Sequence, residues 1–305
     1  MTQPKDLSIP KFHRRIMCFD TETSGLMPKH KAGTPYPPTE AYPYILQISW
    51  TVYNVATNKI EETVNEYIAI PDTVEIGAEA TKVNGITREI LAAKGKPIVS
   101  LLDKFFVAYM KCDCIVAHNL QFDSEVVRKE MWRNREQLKR KIRNQERVNM
   151  MCGVFTKKFN DAYHIDMFCT MKNTIELCDI DYVAKPNAKN IVKAVLGEII
   201  DLVLRSIPDA TREEYNLTPE NLVRRSSGTP TPTIVQSQTN SRKKFPRLNE
   251  LYAKLFDTPL PGDMHNSIVD VLVCLRCFLK VRGVMEMQED VFLELVKTHS
   301  RPENI

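Results

Sequence analysis

The stretch that decides the fold reads Arg15-Ile16-Met17-Cys18-Phe19-Asp20-Thr21-Glu22-Thr23-Ser24-Gly25-Leu26. It opens with a short apolar run and reaches the turn residues Ser24 and Gly25, a pattern typical of a buried β-strand. Residues two apart on a strand share a face, so Asp20 and Glu22 are expected to point the same way. The sequence therefore predicts a buried strand that carries two like-directed carboxylates near its end.

A third carboxylate, in the second block, follows another apolar run, Ile115-Val116-Ala117. Asp123 closes the segment His118-Asn119-Leu120-Gln121-Phe122-Asp123. If the chain is helical from Leu120, Asp123 lies on the apolar stripe of that helix and faces the core.

The third block contains His265 and, five residues later, Asp270. From Ser267 onward, apolar residues stand at helical spacing from Asp270, which places this carboxylate in the middle of a buried stripe. Those residues are Val273, Cys274, Cys277 and Val281.

A buried carboxylate is costly unless it is paired or bound to a metal, so several inward-facing carboxylates suggest a site for divalent cations. The alternative for Asp270 is a cap or a partner of a neighbouring arginine, and for His265 a helix-start histidine bonded to the backbone. Short motifs also recur by chance. A second Asp-x-Glu stands at Asp123–Glu125, and His118 to Asp123 repeats the spacing of the third block. The order and the local context of the blocks must therefore decide whether they form a functional site.

In that order and context, the blocks resemble the DEDDh (DnaQ-like) 3′→5′ exonucleases. The resemblance covers residues 15–130, 163–170 and 245–282, and it does not explain residues 131–162 or 172–244. The segment from Tyr163 to Phe168 is expected to be a further strand. It implies an α/β fold of the ribonuclease-H-like type. The expected architecture is a mixed five-stranded sheet flanked by helices, with a long insertion before the last two helices.

The resemblance also implies the roles of the site residues. Asp20 would bridge two divalent ions, Mg²⁺ or Mn²⁺, while Glu22 and Asp270 hold one ion and Asp123 supports the other. His265 would be the general base that takes a proton from the attacking water. The residues expected to hold the terminal nucleotide are Thr23, Ser24, Gly25, Leu26, Asn84, His118 and Asn119, with Leu26 as a wedge and Asn84 where the family usually has histidine.

The expected reaction is the release of nucleoside 5′-monophosphates from DNA 3′ ends, on single strands or at the end of a duplex. The same site would also suit RNA, because discrimination between the sugars depends on one or two contacts near the 2′ position. A non-catalytic nucleic-acid-binding module is a third interpretation. A polymerase or a repair protein would be a natural partner, and the sequence leaves the oligomeric state open.

Charge is distributed unevenly along the chain, whose net charge is only +4. Residues 128–147 contain nine basic residues against three glutamates, a local excess of six positive charges. This is either a solvated helix face or a phosphate-binding surface, and its continuity with the Asp123 segment favours the second. The residues expected on the surface are Arg128, Arg135, Lys139, Arg140, Lys141 and Arg143.

The domain boundaries follow from composition and from the extent of the resemblance. We expect an N-terminal arm (1–14), an exonuclease domain (15–282) with an insertion (172–244), and a C-terminal tail (283–305). Within the insertion, residues 190–207 have the pattern of an amphipathic helix. Residues 226–244 are rich in Ser, Thr, Pro and Asn, a composition typical of a flexible segment.

The eight cysteines lie mostly in apolar runs, as reduced core thiols do. Cys274 and Cys277 have the spacing of a metal pair, but no second pair stands at zinc-site spacing. The N-terminus lacks the apolar region of a signal peptide, and no uncharged stretch would span a bilayer. The sequence therefore predicts a soluble, intracellular protein, cytoplasmic or nuclear, with no membrane segment.

Overall fold

The computed structural model describes residues 13–182, 204, 242–260, 265–284 and 287–300. Most of the predicted helix at 190–207 and of the predicted flexible stretch at 226–244 lies outside the described residues. The chain divides into two compact units, residues 1–179 with 245–305 and residues 180–244. In the smaller unit, the described residues include an antiparallel bridge between Asp181 and Lys243.

Five strands of the larger unit form a mixed sheet in the order β3-β2-β1-β4-β5. Their bounds are β1 Arg15–Thr23, β2 Ile45–Asn54, β3 Lys59–Tyr67, β4 Cys114–Ala117 and β5 Asp166–Cys169. β1 is antiparallel to β2 and parallel to β4. Because β1 and β4 run the same way, their carboxyl ends, and the residues that follow them, meet at one edge of the sheet.

The helices are numbered in chain order among the described residues. They are α1 Ala78–Asn84, α2 Arg88–Lys94, α3 Ile98–Met110, α4 Leu120–Arg133, α5 Arg135–Ile142, α6 Gln145–Gly153, α7 Lys157–Tyr163, α8 Thr170–Asn173, α9 Ile175–Cys178, α10 Leu248–Phe256, α11 Ser267–Val281 and α12 Glu289–His299. A short 3₁₀ helix spans Thr39–Ala41.

The alternation of side chains along β1 assigns its two faces to different helices. Phe19 packs edge-on against Phe105 of α3, with ring centroids 5.3 Å apart. On the opposite face, the Cys18 thiol donates to the carbonyl oxygen of Val271 in α11 at 3.4 Å. Helices thus cover both faces of the sheet, and the predicted ribonuclease-H-like fold class is confirmed. Asp20 and Glu22 continue the face of Cys18 toward α11.

Two local predictions need correction. The segment from Tyr163 was expected to be a strand, but α7 runs through Tyr163 and β5 begins only at Asp166. The ring of Tyr163 packs at a tilt against that of Phe159 one turn earlier, with centroids 4.5 Å apart, so packing within α7 outweighs the β-preference of tyrosine. Three described helices, rather than two, follow the insertion, because α12 lies within the predicted tail.

The start of the domain also differs from the sequence prediction. The predicted arm reaches residue 14, yet His13 is buried and its Nε2 lies 2.7 Å from Oδ2 of Asp166. The backbone N–H of Arg14 donates to Oδ2 of Asp113 at 2.7 Å. Both residues are therefore held against the sheet.

The cysteines behave as predicted from their apolar surroundings. All eight are free and buried. Burial raises the pKa of the Cys277 thiol well above its ordinary value, and the same holds for Cys18. In the part of the chain that the structure describes, no helix combines the length and the apolar character needed to cross a bilayer.

Candidate active site

β1 delivers two carboxylates to the edge of the sheet. Asp20 and Glu22 are both half-buried, and the strand pairing becomes irregular just after them, between Glu22 and Thr23. Burial of the carboxyl group raises the pKa of Asp20 to about 6, although hydrogen bonds from Ser267 and the backbone of Thr21 act in the opposite direction. Asp20 thus lies in surroundings that disfavour its charge.

α4 brings the third carboxylate to the opposite side of β1. The helix begins after Asn119, which adopts a left-handed conformation with φ of 79° and turns the chain from β4 into α4. Asp123 is 3% exposed, and its Oδ1 accepts hydrogen bonds from the hydroxyl and the N–H of Thr21 at 2.7 and 3.2 Å. Burial and the nearby charge of Asp20 raise the pKa of Asp123 well above its ordinary value.

α11 carries the fourth carboxylate, Asp270, in its first turn. The Ser267 hydroxyl at the start of α11 donates to the carbonyl oxygen of Asp20 at 3.1 Å, which ties the helix to β1. Oδ2 of Asp270 accepts the N–H of His265 at 3.2 Å, whereas its buried Oδ1 has no hydrogen-bond partner among the described residues. Burial and the charge of Asp20 raise the pKa of Asp270 well above its ordinary value.

His265 lies just before α11 in a left-handed conformation, with φ of 69°. One possible ligand atom from each of His265, Glu22 and Asp270 falls within 4.8 Å of the other two. Partial burial of the ring and the charge of Arg247 lower the pKa of His265. The imidazole is therefore mainly neutral at pH 7 and able to accept a proton.

The four carboxylates form one electrostatic cluster. The charge of Asp20 raises the pKa of both Asp123 and Asp270, and Glu22 adjoins Asp270. Like charges in a partly desolvated space repel, and the orphaned Oδ1 of Asp270 has nothing among the described residues to satisfy it. Hard oxygen donors in this arrangement fit a divalent cation such as Mg²⁺ or Mn²⁺.

The predicted nucleotide-holding segment follows directly after β1. The Thr23 hydroxyl donates to the carbonyl of Gly25 at 2.8 Å, and the Ser24 hydroxyl accepts the N–H of Tyr44 at 3.0 Å. These bonds shape the turn and hold it against β2. Leu26 projects from it with 87% of its surface exposed, so an apolar side chain stands in solvent beside the carboxylates. Contact of this segment with a nucleotide stays a prediction.

Asn84 and His118 make hydrogen bonds to segments next to the carboxylates. The Asn84 amide donates to the carbonyl of Thr23 at 3.3 Å and accepts the N–H of Ile86 at 2.9 Å. The two ring nitrogens of His118 lie 2.9 Å from Oγ1 of Thr170 and 3.1 Å from the carbonyl of Pro246. Burial lowers the pKa of His118 to about 4, so the ring stays neutral. The substrate contacts predicted for both residues remain untested.

Three supporting residues were missed from the sequence. Thr21 stands between the two carboxylates of β1, and the alternation of the strand could have assigned it to the face covered by α4. Ser267 and Asn266 directly follow His265, but their partners are distant in sequence: Asp20 for the first and His299 for the second. The sequence carried no signal for those pairings.

The basic stretch begins well away from the carboxylates. α4 places Arg133 about 15 Å along the helix axis from Asp123, and α5 continues from there. Of the predicted surface residues, four already have local partners, whereas Arg140 and Arg143 are exposed. The local pairs are Arg128–Glu125 at 2.8 Å, Arg135–Asn149 at 3.0 Å, Lys139–Glu136 at 2.7 Å and Lys141–Ser100 at 2.5 Å.

A cleft of about 350 Å³ lies between α4 and the 3₁₀ helix. Trp132 stands in it with 49% of its surface exposed. The other lining residues are Thr39, Glu40, Glu125, Arg128, Lys129 and Arg133.

The sequence matches the model of an exonuclease family, RNase_T, over residues 17–177. The match spans more than half of the chain and includes Asp20 and Glu22 of β1 and Asp123 of α4. The protein belongs to this family, of the DEDDh (DnaQ-like) type within the ribonuclease-H-like superfamily.

Among solved structures, the chain is similar to E. coli Exonuclease I in complex with a dA16 oligonucleotide, at 14% identity and a TM-score of 0.45. That match covers 94% of this chain and 43% of the other. An apo form of Exonuclease I matches at 15% identity and a TM-score of 0.49, over 94% of this chain and 45% of the other. The chain thus spans less than half the length of these proteins. No curated protein sequence matches it significantly.

Proposed function

We propose that this protein hydrolyses the terminal phosphodiester bond at DNA 3′ ends and releases nucleoside 5′-monophosphates. The observation that carries the proposal is the grouping of Glu22, His265 and Asp270 at the end of β1, where the buried Oδ1 of Asp270 is unsatisfied among the described residues and the charge of Asp20 acts on both Asp270 and Asp123. A purely structural cluster of this kind would be destabilising, because each carboxylate raises the cost of ionising its neighbours. Membership of an exonuclease family supports the same interpretation.

We further propose that the carboxylates hold two divalent cations, Mg²⁺ or Mn²⁺. Asp20 would contribute to holding both ions, because its charge acts on both Asp123 and Asp270, while Glu22 and Asp270 would hold one ion and Asp123 would support the other. When bound, such ions activate a water nucleophile and neutralise charge on the phosphate. The hydrogen bonds that Asp123 accepts from Thr21 fall on Oδ1, so Oδ2 would remain available to a cation.

In this proposal His265 is the general base. Its ring lies beside Glu22 and Asp270, its lowered pKa favours the neutral form at pH 7, and the residue is exposed to solvent. Proton transfer from water requires a base within hydrogen-bond reach and with a pKa near the working pH. The bond between its N–H and Asp270 fixes the backbone of His265 next to the carboxylates.

The terminal nucleotide is proposed to rest on the turn from Thr23 to Leu26. The exposed side chain of Leu26 would pack against the base, and backbone groups of the turn would face the sugar. Asn84 holds the carbonyl of Thr23, and we propose that it keeps the turn in place rather than replacing the histidine usual in the family.

The rest of the strand is proposed to pass along the outer side of α4. Trp132 lies about 14 Å along the helix axis from Asp123, and its exposed ring offers a surface on which a base could stack. Arg128 and Lys129 line the same cleft, and Arg135 begins the more distant basic stretch. Single-stranded DNA is the ligand that best fits a path of isolated aromatic and cationic side chains.

Product analysis on labelled oligonucleotides tests the function. DNA and RNA of matched sequence, carrying a label at the 5′ or the 3′ end, are incubated with Mg²⁺ or Mn²⁺. We expect 5′-labelled DNA to shorten stepwise while the 3′ label appears at once as a nucleoside 5′-monophosphate. Internal cuts, or early release of the 5′ label, would contradict the polarity. Faster degradation of RNA would make the protein an exoribonuclease, and no release with either metal would revive the non-catalytic interpretation.

A further inference from the structure

A buried asparagine connects the His265 turn to the end of α12. Asn266 is 4% exposed, and its side-chain amide donates to the carbonyl oxygen of His299 at 2.9 Å. The two residues are 33 positions apart in the sequence. Asn266 is the residue directly before α11, yet its side chain does not cap that helix. Its amide instead donates to a carbonyl that is distant in the sequence.

The turn that Asn266 belongs to is short and conformationally demanding. His265 has φ of 69°, a conformation that costs a non-glycine residue free energy and must be held by its surroundings. Its N–H is bonded to Asp270, and the carbonyl of Asn266 accepts the N–H of Asp270 at 3.0 Å. Both contacts lie within the turn and the first turn of α11. The bond from Asn266 to His299 ties the turn to another element, α12.

α12 is a firm anchor for this bond. Phe292 and Val296 are buried, and the ring of Phe292 faces that of Tyr252 in α10 at a centroid distance of 6.0 Å. The buried guanidinium of Arg276 in α11 lies 4.5 Å from the centroid of Phe292 and donates to the Tyr252 hydroxyl at 2.8 Å. These contacts hold α12 without any help from Asn266. The carbonyl of His299 therefore has a fixed position.

We propose that Asn266 is a positioning residue for His265, and that the last turn of α12 thereby forms part of the active-site scaffold. By holding the turn to α12, Asn266 keeps the imidazole beside Glu22 and Asp270. The proposal rests on the proposed role of His265 as the base. A displacement of about 1 Å at a reacting group can lower the rate about 100-fold. Loss of a single anchoring bond should therefore affect the turnover rate much more than the stability of the fold.

Truncation offers a way to remove the bond from either end. A chain ending at Ser300 keeps the carbonyl of His299, whereas a chain ending at Thr298 loses it and retains the buried Phe292 and Val296. These two chains are made with the native Asn266 and with Asn266→Ala. The four are compared in single-turnover and steady-state assays on a 5′-labelled single-stranded DNA.

We expect the chain ending at Ser300 to match the full chain. Removal of the carbonyl, or Asn266→Ala, should each lower kcat about tenfold or more, leave KM within about twofold, and lower the rate no further when combined. If the effects of Asn266→Ala and of the truncation multiplied when combined, the two changes would not act on the same bond. A decrease in kcat/KM that came from a higher KM would likewise show that Asn266 only fills space. A melting temperature measured on each chain separates local from global damage.

Hydrogen exchange makes the test independent of activity. In metal-free protein, the amides of residues 265–270 should exchange faster in Asn266→Ala and in the chain ending at Thr298, with those of β1 unchanged. Unaltered exchange in this turn would overturn the proposal even if turnover fell. If the wild type releases no nucleotide but the exchange pattern appears, the anchoring stands and the assigned reaction fails.

Discussion

The carboxylate cluster and the basic stretch of residues 128–147 differ in how their charges are compensated. In the cluster, burial and neighbouring like charges raise the pKa of Asp20, Asp123 and Asp270, and the buried Oδ1 of Asp270 has no hydrogen-bond partner among the described residues. In the basic stretch, most cations are matched locally, as in the ion pair of Lys139 with Glu136. Uncompensated charge that the fold holds in place marks a functional site, whereas locally matched charge is common on any surface.

This difference predicts different sensitivities. The cluster should respond to divalent cations and to pH, because burial disfavours the ionised forms of Asp20, Asp123 and Asp270, and the charge of Asp20 adds to this at the other two. The basic stretch should respond to salt, and only weakly, because its cations already have partners. Four experiments test whether the two regions differ in this way.

The largest effect is expected from Asp270→Asn. The amide side chain can still accept the N–H of His265, so the turn before α11 should survive, but the ligand charge is lost. We expect turnover to fall by more than about 100-fold, beyond what removal of a supporting residue usually costs. The rate of nucleotide release with Mg²⁺ and Mn²⁺ measures this. Asp257→Asn, at an exposed helix end, is the matched control, and near-normal activity in Asp270→Asn would remove Asp270 from the site.

His265→Ala should lower kcat by about 10²–10⁴-fold, the range for removal of a general base. Binding of Mn²⁺ and of DNA should be retained, because the proposed ligand set excludes His265. Single-turnover rates and equilibrium binding measured on the same protein separate the two. His164→Asn serves as a control at an exposed histidine, which, like His265, has a positive φ. Failure to bind the metal would instead assign His265 to the ligand set.

A smaller, pH-dependent effect should appear in Asp20→Asn without metal. The pKa of Asp20 is raised from 3.8 to about 6, so its contribution to stability is complete below about pH 3.8 and is lost as the pH rises through 6. In chelator, the mutant should therefore melt higher than the wild type above pH 6, and the two should converge near pH 4. A wild type that melts higher at pH 7 in chelator would mean that Asp20 has a stabilising partner.

Divalent metal should reverse that order. Added Mg²⁺ or Mn²⁺ at about 100 times its dissociation constant should stabilise the wild type by about 2.7 kcal/mol and the mutant by much less.

The smallest effect is expected from charge reversal in the basic stretch. Changing Lys139, Arg140 and Lys141 together to Glu should weaken binding of all single-stranded sequences alike. For every phosphate that the variant no longer neutralises, the slope of log K against log salt should fall by about 0.7. Fluorescence titrations between 50 and 200 mM salt, roughly, give this slope. Arg128→Glu tests the cleft beside α4, and Lys158→Glu is the surface control. An unchanged slope in the triple variant would make α5 a solvated face only.

The sequence was informative where one residue pattern serves both folding and chemistry. Asp20 and Glu22 end an apolar strand, and Asp123 and Asp270 lie on the apolar stripes of helices. These positions place the carboxylates on the inward face of their elements. Their burial is confirmed for Asp123 and Asp270, which are 3% and 9% exposed. The mixed sheet follows from the same strands.

The rest depended on tertiary contacts that carry no local signal. Tyr163 has a strand-forming side chain, yet it belongs to α7 because its ring packs on Phe159. α12 could have been found, since Phe292 and Val296 are four residues apart and apolar, as on one face of a helix. The bond between Asn266 and His299 could not have been predicted, because neither residue lies in a sequence pattern that indicates its partner.

The placement of the two tryptophans gives this protein separate optical reporters. Trp50 lies fully buried in β2 against Phe105, whereas Trp132 is half-exposed beside Arg128. Iodide or acrylamide in solution should quench emission from Trp132 and leave the blue-shifted emission of Trp50 almost unchanged. An oligonucleotide lying along α4 would shield the first signal, and unfolding of the sheet would red-shift the second. One spectrum of the unlabelled protein can then follow ligand occupancy and fold integrity at once.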